Sequence, residues 1–167
     1  TLTGNLDGDI LIGLDNSSGD DLSEDWIDYS ALTGSNGISV DLNTTISDSL
    51  DNTYDAIYDG SYSTVSLING TAAQVDYITA IENIKGSSFT DILGGDAGKN
   101  SILAGDGDDT VYLSAGQDYL DGGGNTTTGG DWLSLEYYVP GTTIYMYSGL
   151  ETAGNSSIYN FENLIDS

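Results

Sequence analysis

One apolar position returns every nine residues through the middle of this chain, at Ile84, Leu93, Ile102, Val111 and Leu120. A polar position keeps the same step: Asp91, Asn100, Asp109 and Asp118 each stand two residues ahead of the last four. Gly98, Gly107 and Gly116 stand two residues ahead of the last three of these polar positions. A unit made of a glycine turn, an acidic residue and one inward apolar residue predicts a very short strand per unit. Strands that bury one side chain each gain a core only by stacking on their neighbours, which predicts an all-β, coiled, repetitive architecture.

A longer repeat lies beneath the short one. Asp25-Trp26-Ile27 opens a phrase followed by an alternating strand at 37–43, with Ile38, Val40 and Leu42 on one face, and then by Ile81-Glu82-Asn83-Ile84. Asp131-Trp132-Leu133 opens a second phrase, followed by alternation at Ile144 and Met146 and then by Phe161-Glu162-Asn163-Leu164. The order is the same in both. One domain over 1–167 is expected, with degenerate first coils at 1–24, a long module at 25–87, the nonapeptide core at 88–130 and a shorter second module at 131–167. The polar, tyrosine-bearing stretch at 47–74 predicts an excursion from the coil containing a short hairpin, and 122–130 predicts a surface bulge, because Asp118 and Asp131 stand 13 residues apart. At the start, Asp9 and Leu11 stand as Asp91 and Leu93 do, and Leu2 and Leu11 are again nine apart.

Composition narrows the chemistry. The 27 acidic residues face two lysines, with no arginine and no histidine, for a formal net charge of −25. Nucleic acid is excluded as a partner, since phosphate binding requires a basic footprint. An anionic membrane surface is disfavoured on the same ground, and no run of 18 apolar residues is present to insert. So large a charge opposes compaction unless cations neutralise it. An acidic disordered tail is the alternative, but 38% of residues are hydrophobic and they fall at regular positions. Halophilic adaptation would scatter the acids rather than set them at one period. Cysteine is absent, which removes disulfides, thiol chemistry and, together with the lack of histidine, the usual zinc, iron and copper ligands.

The nonapeptides resemble the repeats-in-toxin (RTX) family, whose unit is GGxGxDxUx with U a large apolar residue. Ala104–Tyr112, AGDGDDTVY, departs from that unit only at its first glycine. The unit before it has aspartate for the second glycine and Asn100 for the aspartate, and the unit after it has lost both leading glycines. The resemblance implies a right-handed parallel β-roll or β-helix solenoid, with two nonapeptides per 18-residue coil and Ca²⁺ held between stacked turns. It pairs Asp91 with Asp109 on one side and Asn100 with Asp118 on the other, with Gly98, Gly107 and Gly116 offering turn carbonyls. Asp9, Asp25 and Asp131 are further candidate ligands in incomplete repeats. Asp106 and Asp108 are expected to face solvent, although a hard cation can recruit either. Several Ca²⁺ ions are implied, because oxygen-only turns suit a cation of six to eight ligands. Against this stands the reading that aspartate and glycine are common turn formers anywhere; the fixed period favours the metal.

Catalysis has little support. Nucleophilic triads require a histidine or cysteine, and no carboxylate pair stands apart from the turn acids to hydrolyse a glycoside. The chain is therefore expected to be a non-enzymatic, Ca²⁺-binding structural module of a secreted or cell-surface protein, of adhesin, surface-layer or fibre type. Its folding is expected to be coupled to Ca²⁺ and its ends to associate with further copies or tandem neighbours. A Ca²⁺-dependent carbohydrate-binding or targeting appendage is the alternative, with glycans meeting Trp26, Trp132 or the Tyr54, Tyr58 and Tyr62 group. Both tryptophans are otherwise expected to fill or cap the coil.

Overall fold

The computed structural model describes residues 1–4, 10–13, 25–43, 63–68, 75–125, 129–136, 144–145, 151–153 and 156–165. Among them every regular element is a strand. The first half contains β1 (Leu2–Thr3), β2 (Ile10–Ile12), β3 (Trp26–Asp28), β4 (Ile38–Asp41), β5 (Ser63–Leu67), β6 (Val75–Thr79) and β7 (Asn83–Lys85). The nonapeptide region contributes β8 (Ile92–Gly94), β9 (Ser101–Leu103), β10 (Asp106–Gly107), β11 (Thr110–Tyr112), β12 (Tyr119–Asp121) and β13 (Gly124–Asn125). The remainder holds β14 (Trp132–Ser134), β15 (Ile144–Tyr145), β16 (Glu151–Ala153), β17 (Ser156–Tyr159) and β18 (Asn163–Ile165).

Two eight-stranded mixed sheets result. The first runs β1-β3-β7-β9-β12-β17-β16-β15, the second β18-β14-β11-β8-β4-β5-β6-β2. From β7 to β12 the chain passes from one sheet to the other at each nonapeptide, so like strands pair in parallel: Ile84 with Ile102 with Leu120, and Leu93 with Val111. The longer 122–130 segment is absorbed without loss of register, since Val111 still lies opposite Leu133. Gly124–Asn125 inside it pair as a strand with Asp106–Gly107, so the expected bulge begins as a rung stacked on the preceding turn.

Strands β3, β7, β8, β9, β11, β12 and β14 each bury their middle residue. Ile27, Ile84, Leu93, Ile102, Val111, Leu120, Leu133 and Ile158 are all inaccessible to solvent and form one core with Ile38, Val40, Val65 and Ile78. Each such aliphatic side chain contributes about 1.5–3 kcal/mol of burial. Alternation then decides the tryptophans. Because Ile27 and Leu133 point inward, Trp26 and Trp132 occupy the other face: Trp26 is half-buried and Trp132 is 38% exposed, so neither fills the core as expected.

The expected excursion also differs. Its last part, β5, pairs antiparallel with β4 on one side and β6 on the other, inside the second sheet, and puts Val65 in the core. Ile38 and Val40 of β4 are buried as the alternation predicts. Met146 and the Tyr54, Tyr58 and Tyr62 group lie outside the described residues. A buried pair not foreseen from the sequence closes this end of the core: Tyr29 donates its hydroxyl to Asp76 Oδ2 at 2.6 Å, with both residues inaccessible.

Candidate metal centre

The turns stack in two columns. Residues 86–91, 104–109, 122–125 and 129–131 lie along one side, and 95–100 and 113–118 along the other, following the 18-residue coil. In each column the predicted ligands are buried, and the side chains of Asp109, Asp131 and Asp118 accept the backbone N–H of their equivalents one coil earlier. Asp91 N donates to Asp109 Oδ1 at 2.8 Å, Asp109 N to Asp131 Oδ1 at 2.8 Å, and Asn100 N to Asp118 Oδ1 at 3.1 Å. Ile38 N donates to Asp91 Oδ1 and Asp118 N to Ser156 Oγ, extending both columns. The expected pairs Asp91 with Asp109 and Asn100 with Asp118 are thus brought together, and Asp131 joins the first.

The other oxygen separates the sites, and the residue four positions upstream decides it. At Asp91, Ser87 supplies its N–H to Oδ2 and its hydroxyl to Oδ1. At Asn100, Asp96 N donates to Oδ1. At Asp118, Ser114 donates its hydroxyl to Oδ2. At Asp109 the residue four upstream is Gly105, which has no hydroxyl and adopts φ 115°, a left-handed conformation open to glycine. Asp109 Oδ2 is left buried with no hydrogen-bond partner, and so is Asp131 Oδ2. Buried carboxylate oxygens of this kind require a proton or a cation.

The electrostatics agree. Burial pushes Asp109 up to about 8, against the hydrogen bond from Asp91 N, and the charges of Asp91, Asp131 and Asp108 add to the rise. Burial likewise raises Asp131 to about 6, with Glu162, Asp108 and Asp121 adding to it. Asp91 also rises to about 6 from burial, its hydrogen bonds to Ile38 and Ser87 holding it back. Asp118 is raised by burial too.

The remaining candidates fall in different places. Gly107 is buried within β10, whereas Gly98 and Gly116 lie on exposed turns of the second column. A Cβ on Gly116, at φ 127°, would strike the carbonyl of Gly98, so the two turns approach as closely as glycine allows. Asp106 is exposed, as expected, while Asp108 is half-buried beside the first column, a departure from the expected solvent-facing position. Asp25 extends the second column past Asn100: Asn100 Nδ2 donates to Glu82 O at 2.8 Å, and Asp25 N donates to Glu82 Oε2 at 2.8 Å, while the Asp25 carbonyl accepts from Asn83 N. Asp9 lies outside the described residues.

These residues fit a hard cation. Asp109 and Asp131 each bring a buried, uncommitted oxygen to adjacent stacked turns, and Ca²⁺ there would supply the positive charge that lets both ionise. Among the described residues no group of three or more acidic side chains is placed to hold a metal, so turn carbonyls must provide most of the oxygens. Ser87, Asp96, Ser114, Ser156, Glu82 and Glu162 complete the columns and were not singled out from the sequence; their constant offset of four residues upstream, for the first three, is the signal that marks them.

Among the described residues no helix is long and apolar enough to cross a membrane. Among curated proteins nothing matches the chain. The family model of the RTX calcium-binding nonapeptide repeat, in four copies, matches residues 85–120 and again 94–128, the same turns that hold Asp91, Asn100, Asp109 and Asp118. Residues 85–128 are therefore RTX calcium-binding nonapeptide repeats carried within this chain.

Proposed function

We propose that this chain is a Ca²⁺-ordered structural module of a secreted or cell-surface protein, of adhesin, surface-layer or fibre type, and not an enzyme. The two sheets are read as opposed walls of a right-handed parallel β-roll, with 88–130 as its metal-organised core and 25–87 and 131–167 as duplicated modules around it. The observation that carries the reading is the spare buried oxygen on Asp109, whose turn has glycine at 105 in place of an upstream hydroxyl, together with the spare buried oxygen on Asp131. A carboxylate needed only as a turn former would be satisfied by its own turn, as Asp91 is. The RTX repeats support an extracellular setting, where Ca²⁺ is abundant enough for weak oxygen sites to fill.

Folding is then linked to metal, since cation binding to the native turns adds its free energy to the folded state. Circular dichroism of the chain in chelator and in millimolar Ca²⁺ tests this. A β spectrum is expected to appear with Ca²⁺, and one that persists unchanged after thorough chelation overturns the reading.

The second reading, a Ca²⁺-dependent glycan-binding appendage, is favoured by aromatic exposure on the outer faces. Trp132 is 38% exposed, and Tyr119 and Tyr159 stand with ring centroids 5.0 Å apart. A glycan array probed with the Ca²⁺-loaded chain decides it; an array without hits that depend on Trp132 or Tyr119 removes it.

A further inference from the structure

Strands β14 and β18 repeat the arrangement of β3 and β7 bond for bond. Asp25 N donates to Glu82 Oε2 at 2.8 Å, and Asp131 N to Glu162 Oε2 at 2.9 Å. Asn83 N and Nδ2 donate to Asp25 O, and Asn163 N and Nδ2 to Asp131 O. Tyr29 N reaches Lys85 O, and Leu135 N reaches Ile165 O, each at 2.9 Å.

The two pairs differ in what covers their outer strand. On β7 lies β9: Ile102 covers Ile84, Ser101 N donates to Asn83 Oδ1 at 2.7 Å, and Asn100 Nδ2 donates to Glu82 O at 2.8 Å. Ile84 is 0% exposed beneath it. On β18 no described strand lies, because it ends its sheet. Leu164, the counterpart of Ile84, is 39% exposed, and so is Ile165. These two are half of the large hydrophobic residues that stand exposed among the described residues.

The opposite ends of the sheets have the matching form. The second sheet begins at β2, an Ile-Leu-Ile strand whose Leu11 is only partly buried against the core. Every pairing from β18 to β4 is parallel, the two antiparallel steps through β5 cancel, and β6 is parallel to β2. Strands β2 and β18 therefore run the same way. The first sheet obeys the same arithmetic: β1 through β17 are parallel, and two antiparallel steps through β16 leave β15 aligned with β1. A translated copy can add a parallel strand to both sheets at once, which is the condition for an open, head-to-tail interface.

We propose that the β15/β18 end of one copy docks the β1/β2 end of a second copy, Leu11 covering Leu164 as Ile102 covers Ile84. This rests on the Ca²⁺-ordered fold proposed above, because copies that each carry a charge of −25 approach only when cations neutralise them.

Sedimentation velocity of the chain in millimolar Ca²⁺, across a concentration series and with circular dichroism on the same samples, tests it. Mass is expected to grow with concentration beyond the dimer. Leu164→Lys and Leu11→Lys should each weaken association by about tenfold or more through the lost apolar contact. Each variant keeps one sound end, so an equimolar mixture of the two should stop at dimers. Asn163→Ala, which leaves the apolar edge intact, serves as a second variant should a lysine prevent folding, and should also weaken association. A chain that shows its β spectrum in Ca²⁺ yet stays monomeric throughout overturns the docking and leaves the Ca²⁺ reading standing. Variants that assemble like the parent, or a mixture that grows into long species, overturn it as well. A chain with no β spectrum in Ca²⁺ overturns both.

Discussion

Asp91 and Asp109 occupy equivalent places one coil apart, and a single upstream residue gives them different work. Ser87 satisfies the carboxylate of Asp91 with two hydrogen bonds, whereas Gly105 leaves Asp109 Oδ2 buried and uncommitted. Hydroxyl and cation are thus alternative solutions to one problem, the cost of a desolvated carboxylate oxygen. Asp109→Asn is expected to raise the Ca²⁺ midpoint about tenfold, by removing a charged ligand, and to leave stability in chelator undiminished, since a neutral amide replaces a charge that burial disfavours. Asp91→Ala should instead destabilise the Ca²⁺-loaded chain without moving the metal affinity comparably. It strips partners from the buried N–H groups of Ile38 and Ser87, at about 1–3 kcal/mol each. Calcium titration and urea denaturation of the two variants measure both effects.

At the scale of elements, the strands are so short that each is specified by one apolar side chain. That made β8, β9, β11 and β12 legible from the nine-residue step alone, and β4 from its alternation. It made β5 illegible. Ser63, Thr64 and Ser66 gave that segment a polar surface character, yet Ser63 is buried with its hydroxyl on Leu42 O at 3.3 Å, and Val65 is inaccessible in the core. A strand held on both sides by partners satisfies its polar groups through neighbours that are remote in sequence. Val65→Ala should cost about 1–3 kcal/mol in urea denaturation of the Ca²⁺-loaded chain, as for a core position, whereas a true surface excursion would tolerate the change.

For the molecule as a whole, charge and metal are one question. Asp91, Asp109 and Asp131 all hold protons in the folded chain that the unfolded chain releases at ordinary carboxylate values, with folded values raised from 3.8 to about 6, 8 and 6. Their protonated forms therefore support the metal-free fold fully below pH 3.8, and that support is lost as pH rises through 6 and 8. Chelated protein is expected to lose its urea resistance over this interval. In Ca²⁺ the slope should reverse, because the metal requires the ionised carboxylates that high pH supplies. The same circular dichroism samples used for the Ca²⁺ test, titrated from about pH 4 to 8, read both slopes; parallel slopes with and without metal would count against Ca²⁺ at Asp109 and Asp131.

The nine-residue period by itself determined the all-strand class and the very short central strands with one inward residue each, and the RTX resemblance that it carries implied the pairing of Asp91 with Asp109 and Asn100 with Asp118. Periodicity can do this because each residue's place along a coil depends only on its count from the last turn. Which carboxylates remain available to a cation was decided by tertiary structure alone. That depends on whether a hydroxyl, a backbone N–H or a glycine happens to face the second oxygen, and such donors arrive from neighbouring turns as well as from the same one. The outward position of Trp26 and Trp132, the place of β5 between β4 and β6, and the exposure of Leu164 where Ile84 is covered are likewise properties of what lies across the sheet. Identical local phrases acquire different environments because the strand that covers one of them has no counterpart, among the described strands, over the other.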